Sequence, residues 1–357
     1  MSKTRLTLLS LAGMAVCILA LLWSCDVHEF PTVPKMAALQ LKLHYTTDMP
    51  QWEHEPTESK TVVPSKSVQT SGEMRYVIRF YPAGSTRSTR SMASHEFVFT
   101  RDLAEGYDAE FTVDVPTGNY TVMVWSDLGE NKNTGGRFYN ADDFSGILLR
   151  NGAHEGNNDY RDAFRGIQDI HITTDIMDKE PETVEIEMER PMAKFEFVTT
   201  NLEEFIDKEI KAAMAGITPT PEVEPVPEDG PSKVIDMNDY KVMFYYVGYM
   251  PNTFNMFTDK PSDSVMGVNF EGRISRLGNG EASMGFDYVF VNGKEASVTV
   301  RMGIYDKNGK ELSMSNPINV PLLRSKHTLI KGRFMMQQST GGVGVDPSFS
   351  GEYNIMI

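Results

Sequence analysis

Few side chains in this 357-residue sequence are placed for chemistry, and their spacing narrows what that chemistry could be. Its two cysteines are Cys17 and Cys25. Cys17 lies inside an apolar run, residues 6–22, that follows the basic Lys3 and Arg5, and Cys25 stands just beyond it. A charged start, a hydrophobic stretch and a small residue before the break make a secretory signal. Cleavage before Cys25 would leave a single thiol, with no disulfide and no thiolate-type zinc site. His44, His54, His95, His154, His171 and His327 are scattered without ligand spacing and read as surface histidines. Asp127, Glu130, Asn131, Asn133, Asp142 and Asp143 form an acidic loop of hard oxygens that calcium could use. The loop lacks the fixed spacing of a calcium site, and a solvated loop is the simpler reading. Serines are plentiful but no Gly-x-Ser-x-Gly elbow occurs, and Gly278-Asn279-Gly280 is a turn with no helix pattern after it. The paired acids Asp142/Asp143 and Glu203/Glu204 are chain neighbours that need not converge on a substrate. The expectation is a protein with no catalytic residues, no metal and no cofactor, and not an enzyme.

Charge points the same way. The net charge of −15 becomes more negative once Lys3 and Arg5 leave with the leader. Such a chain attracts neither nucleic acid nor an anionic lipid face. Tyr245, Tyr246, Tyr249, Phe254 and Phe257 crowd one region, whose default is core. An exposed subset, Tyr249, Phe254 and Phe257, is the alternative: a glycan- or protein-binding patch.

The elements that must carry these residues are strands. Residues 39–45 alternate strictly, with Leu39, Leu41 and Leu43 on one face. Residues 74–81, 169–173, 184–189 and 193–199 follow, and residues 111–115 and 120–125 read as a hairpin through Pro116-Thr117-Gly118-Asn119. Tyr120, Val122 and Val124 oppose Thr121, Met123 and Trp125, so both faces of that strand are partly apolar. Residues 201–215 predict one helix, with Asn201 as N-cap and Gly216 as the stop. Further strands are expected at 241–249, 281–290, 296–305, 317–321 and 327–335. The class is all-β with a minor helix. The expected division is a signal peptide at 1–24, a tether at 25–35, a β-sandwich at 36–216, a Pro/Glu-rich linker or loop at 217–231, a second sandwich at 232–340 and a tail strand at 341–357.

Leu22-Trp23-Ser24-Cys25 resembles the lipobox of bacterial lipoproteins, in which the thiol is diacylated and becomes residue one. The rival is an uncleaved signal anchor, with residues 6–22 near the lower length limit for a spanning helix. Gly118–Trp125 reached through Val115-Pro116, Glu189–Phe197 with Arg190 and Lys194, and Val320–Arg333 with Arg324, Thr328 and Gly332 resemble motifs of the fimbrillin-like proteins of Bacteroidales. Together with Cys25, they make the chain most similar to the lipid-anchored accessory or anchor subunits of those fimbriae. The resemblance implies two tandem transthyretin-like β-sandwiches, held by lipid at the outer membrane and facing the cell surface. It also implies fimbrillin or other surface subunits as partners, joined by strand addition. Residues 39–45 and Tyr353, Ile355 and Ile357 are the expected exchanging elements. The alternative is a surface adhesin that binds glycan or protein and does not polymerise.

Overall fold

The computed structural model describes residues 35–51, 69, 71–84, 93–129, 136–150, 154–173, 181–215, 235–293 and 295–336. Nine strands come first: β1 (Met36–Tyr45), β2 (Glu73–Pro82), β3 (His95–Asp102), β4 (Ala109–Pro116), β5 (Gly118–Gly129), β6 (Tyr139–Asn140), β7 (Ile147–Leu149), β8 (Ala163–Ile172) and β9 (Glu182–Met188). After β10 (Met192–Thr199) comes helix α1 (Leu202–Ala215). The chain continues with β11 (Tyr240–Tyr246), β12 (Tyr249–Asn255), β13 (Lys260–Met266), β14 (Asn269–Gly272) and β15 (Ser275–Gly278). It closes with β16 (Glu281–Phe290), β17 (Ala296–Asp306), β18 (Glu311–Met314), β19 (Ile318–Leu322) and β20 (His327–Gly332).

These strands make two sandwiches of the same topology. In the first, a β4-β1-β9 sheet faces a β3-β2-β5-β8 sheet; in the second, β16-β10-β20 faces β14-β11-β17-β19. In both, the opening strand is antiparallel to one neighbour and parallel to the closing strand of its sandwich. The class is therefore all-β, as expected. Period-2 burial drives it: in β1, Ala37, Leu39, Leu41 and Leu43 are buried while the residues between them are not. Helix α1 buries Leu202, Phe205, Ile206 and Ile210, a helical stripe, against the second core.

Three expectations change. Residues 111–115 and 120–125 are not a hairpin: β4 pairs with β1, and β5 pairs with β2 and β8. Pro116 and Thr117 carry the chain between the facing sheets, so β4 and β5 line one core from opposite sides. The boundary at 216 is also displaced. β10 and α1 contribute Ala193, Phe195, Phe197 and Phe205 to the second core, so the sandwiches divide near Arg190-Pro191. Residues 202–210 and 235–246 pack in that same core on either side of the 217–231 segment, which lies outside the described residues. The histidines are not all at the surface either: the side chains of His154 and His327 are 8% and 9% exposed, each beside a carboxylate.

The two sandwiches exchange insertions. β6 and β7, inserted between β5 and β8, join β12 and β13, inserted between β11 and β14, in a β13-β12-β7-β6 sheet. Phe254 pairs with Ile147 and Thr253 with Leu148 across the seam. Between the sandwiches lies a third core, in which Trp125 meets Tyr139 and Phe290 edge-on. This explains the two apolar faces of β5: Val122 and Val124 fill the first core, Met123 and Trp125 the third.

Buried ions complete the join. The segment 154–162, ahead of β8, reaches across to the second sandwich. Arg161 and His154 both reach Asp287 on β16, which also accepts from the Tyr246 hydroxyl (2.7 Å) and the Tyr288 amide (2.8 Å). Asp162 holds Arg190 at 2.8 Å, and Asp159 takes both Lys194 and the Tyr288 hydroxyl at 2.8 Å. Gly156 lies where any Cβ would collide with the Phe270 ring. Arg165 of β8 and Arg324 of the second sandwich close on Asp259 at 2.8 and 2.7 Å, pinning the β12–β13 turn. Arg190, Lys194 and Arg324 thus serve the join.

Two outcomes follow from this join. In urea, far- and near-ultraviolet circular dichroism are expected to report one coincident unfolding transition, and Trp125→Ala to lower its stability by about 3–5 kcal/mol. Two separable transitions in the wild type would show that the third core does not couple the sandwiches. Burial alone would raise Asp287, but Arg161, His154 and the Tyr246 hydroxyl override it and hold the carboxyl at about 2. Because its folded value is depressed, its contribution is complete above a pH of about 4 and fades as pH falls toward 2. Asp287→Asn is expected to cost about 3–5 kcal/mol at neutral pH, with the gap to wild type narrowing in acid. A gap that is flat between pH 6 and 2 would contradict this assignment.

Candidate surfaces for partner and ligand binding

The structure distributes the sequence-derived candidates unequally. Leu39, Leu41 and Leu43 are wholly buried, and β1 is hydrogen-bonded on both sides, to β4 and to β9. A strand so placed is part of the sandwich and presents no open edge. Tyr353, Ile355, Ile357 and Cys25 lie outside the described residues. Phe254 is wholly buried against Phe290, and Phe257 is half-buried edge-on to Tyr81, so the third core withdraws both from a surface patch. Tyr249 is different: it is 68% exposed and registered opposite Met266, itself 60% exposed.

Asp127 is removed from the acidic-loop candidate for calcium. It is 1% exposed, and its oxygens are taken by Arg75, by Trp125 Nε1 at 2.8 Å and by the Gly136 amide at 3.0 Å. Asp143 is exposed and accepts from the Ser145 amide in a tight turn. Residues 130–135 lie outside the described residues.

Two features that the sequence reading did not single out stand on the surface. One is the edge strand β3. It pairs with β2 over all eight residues without a bulge, and among the described residues nothing pairs with its other side. None of its residues is fully buried, and Val98 is 54% exposed between the half-buried Phe97 and Phe99. Edges are commonly blunted by proline, bulges or inward charge. The β13 edge shows such devices, with Pro261 and two register breaks against β12, whereas β3 has neither proline nor bulge, and its one inward charge, Arg101, lies near its end. Its alternation, His95, Phe97, Phe99 and Arg101 against Glu96, Val98, Thr100 and Asp102, was the available signal.

The other feature is a cleft of about 280 Å³ where the β12–β13 hairpin meets Arg137, Phe138, Leu149, Arg150, His154 and Glu155. Its floor holds His154 and Arg161, both engaged with Asp287. On its rim Arg137 is held by Glu155 at 2.7 Å, while Arg150 is exposed and gives its Nε to the Gly136 carbonyl at 2.6 Å. Val265 and Val268 supply apolar surface above the buried Met250, and Asn252 lines the same cleft. Burial, then the nearby Asp287, pushes the Tyr246 hydroxyl well up, so it remains a donor beneath this floor. Single-residue patterns gave no hint of the cleft, because its two sides come from the insertions of different sandwiches.

Among the described residues no helix is long and apolar enough to cross a membrane. Comparison with solved structures finds a candidate adhesin from Bacteroides thetaiotaomicron, at 10% identity over 85% of this chain and 93% of that one, with a TM-score of 0.43. It also finds a fimbrial anchor protein from Porphyromonas gingivalis (8% identity, 78% and 82% coverage, TM-score 0.35). A third is a fimbrial assembly protein from Parabacteroides distasonis (10% identity, 87% and 94% coverage, TM-score 0.34). No curated protein matches the sequence. Residues 34–357 match a family of unknown function, DUF6562, and the chain belongs to that family.

Proposed function

We propose that this protein is a non-catalytic, lipid-anchored subunit of the outer membrane that joins a fimbria-like surface assembly by strand addition, with β3 as its receiving edge. The carrying observation is that edge: eight regularly paired residues without proline or bulge, with an exposed apolar centre at Val98. An added strand would satisfy the outward main-chain groups of β3, while its alternate side chains meet Phe97 and Phe99 on one face and Val98 on the other. Support for anchoring comes from the basic start, the apolar run and Cys25; two or three acyl chains hold a protein stably where one holds it marginally. The apolar segment around Tyr353, Ile355 and Ile357 remains the candidate donor. β1 does not, since its withdrawal would empty the first core.

A second reading, a glycan- or protein-binding adhesin, is favoured by the exposed Tyr249–Met266 pair. The two readings separate by the face that is protected on binding.

The test is hydrogen exchange on the full-chain protein titrated with a peptide of residues 347–357. Protection is expected along His95–Asp102, and Val98→Lys, which changes only an exposed side chain, is expected to weaken binding at least about fivefold. Protection confined to the Tyr249–Met266 hairpin would transfer the case to the adhesin reading. Absence of protection on both would overturn β3 as the receiving edge for this segment.

A further inference from the structure

The cleft between the two insertions offers a chemistry that strand addition does not use. Its ionised groups are Arg137, Arg150 and Arg161 against Glu155 and Asp287, an excess of one positive charge even with His154 neutral. That excess resides on Arg150. Arg137 is committed to Glu155 and Arg161 to Asp287, whereas the Arg150 side chain gives its Nε to the Gly136 carbonyl. Its Nη groups make no hydrogen bond among the described residues. The Nε bond fixes the plane of a guanidinium whose outer edge fits a carboxylate with two parallel hydrogen bonds.

In the same cleft, Val265 and Val268 supply apolar surface above the buried Met250, and Asn252 supplies an amide able both to donate and to accept. A ligand satisfying all three has a carboxylate at one end, an apolar face and hydroxyls along its rim. A pyranose ring carrying a carboxylate has these parts. The volume of about 280 Å³ lies at the small end for a ligand site and admits one ring rather than a chain of them. The surrounding net charge of −15 repels polyanions while a single local cation still holds one carboxylate.

We infer that this cleft is a subsite for one acidic sugar residue, with Arg150 pairing its carboxylate and Val265 and Val268 covering the apolar face of its ring. The inference is independent of β3 and of strand addition.

The test is calorimetric titration of the full-chain protein with methyl glucuronide and, in parallel, the neutral methyl glucoside. The glucuronide is expected to bind at least about tenfold more tightly than the glucoside, and Arg150→Gln to remove that preference. Arg150→Lys should retain part of it, and Val265→Asp should abolish binding of the glucuronide by placing a like charge in the cleft. Leu277→Ala should leave binding unchanged, because Leu277 is an exposed residue of β15 and is not among the residues lining the cleft. Circular dichroism melts of Arg150→Gln should match the wild type, since the residue is exposed. Equal binding of the two glycosides, no binding at 10-millimolar ligand (about 2.7 kcal/mol of affinity at that limit), or an unchanged preference in Arg150→Gln would each overturn the inference. Tighter binding of an N-acetylated apolar dipeptide than of the glucuronide would assign the cleft to a peptide carboxylate instead.

Discussion

Asp287 is a carboxylate with no access to water, and the arrangement of both sandwiches answers to that fact. A buried charge costs several kcal/mol unless paired and hydrogen-bonded. Here the partners come from both halves of the chain: Arg161 and His154 from the segment ahead of β8, Tyr246 and the Tyr288 amide from the second sandwich. Satisfying it therefore requires the sandwiches to be docked. Docking also buries Trp125, Tyr139 and Phe290 in the third core and lets the two insertions pair as one sheet. The ion cluster makes one geometry of the join cheaper than its alternatives, while the apolar core supplies most of the favourable free energy.

The join also sorts the polar groups available for function. Asp127, Asp159, Asp162 and Asp287 are each engaged by an arginine, a lysine or a tyrosine, and these residues explain the fold rather than a reaction. Two kinds of group among the described residues stay at the surface and suit binding. Main-chain groups line the open side of β3, and side chains of the paired insertions form the exposed Tyr249–Met266 pair and the Arg150 cleft. Holding and binding are the chemistries such surfaces support.

Much of this was legible in the sequence, and particular residues show where legibility stopped. The alternation of Leu39, Leu41 and Leu43 named a strand correctly, but the same residues gave no sign that β1 would be central, because alternation records one buried face and says nothing of neighbours. The turn chemistry of Pro116-Thr117-Gly118 was real, yet it turns the chain between sheets instead of within one. Phe254 and Tyr249 looked equivalent as aromatics five residues apart; one is at the centre of the third core and the other points to solvent. His154 looked solitary because Asp287 lies 133 residues away.

By itself, then, the sequence determined what is local: the all-β class, most strand positions, the helix stripe from Leu202 to Ile210, and the acidic surface that turns polyanions away. Strand period and helix period are written in a few consecutive side chains. Tertiary structure alone decided where the sandwiches divide, which edge stays open and which charges meet, because those depend on contacts between residues far apart in the chain. Arg150 belongs to that second group. Nothing in its own neighbourhood marks it, and only the pairing of two insertions sets it in a cleft.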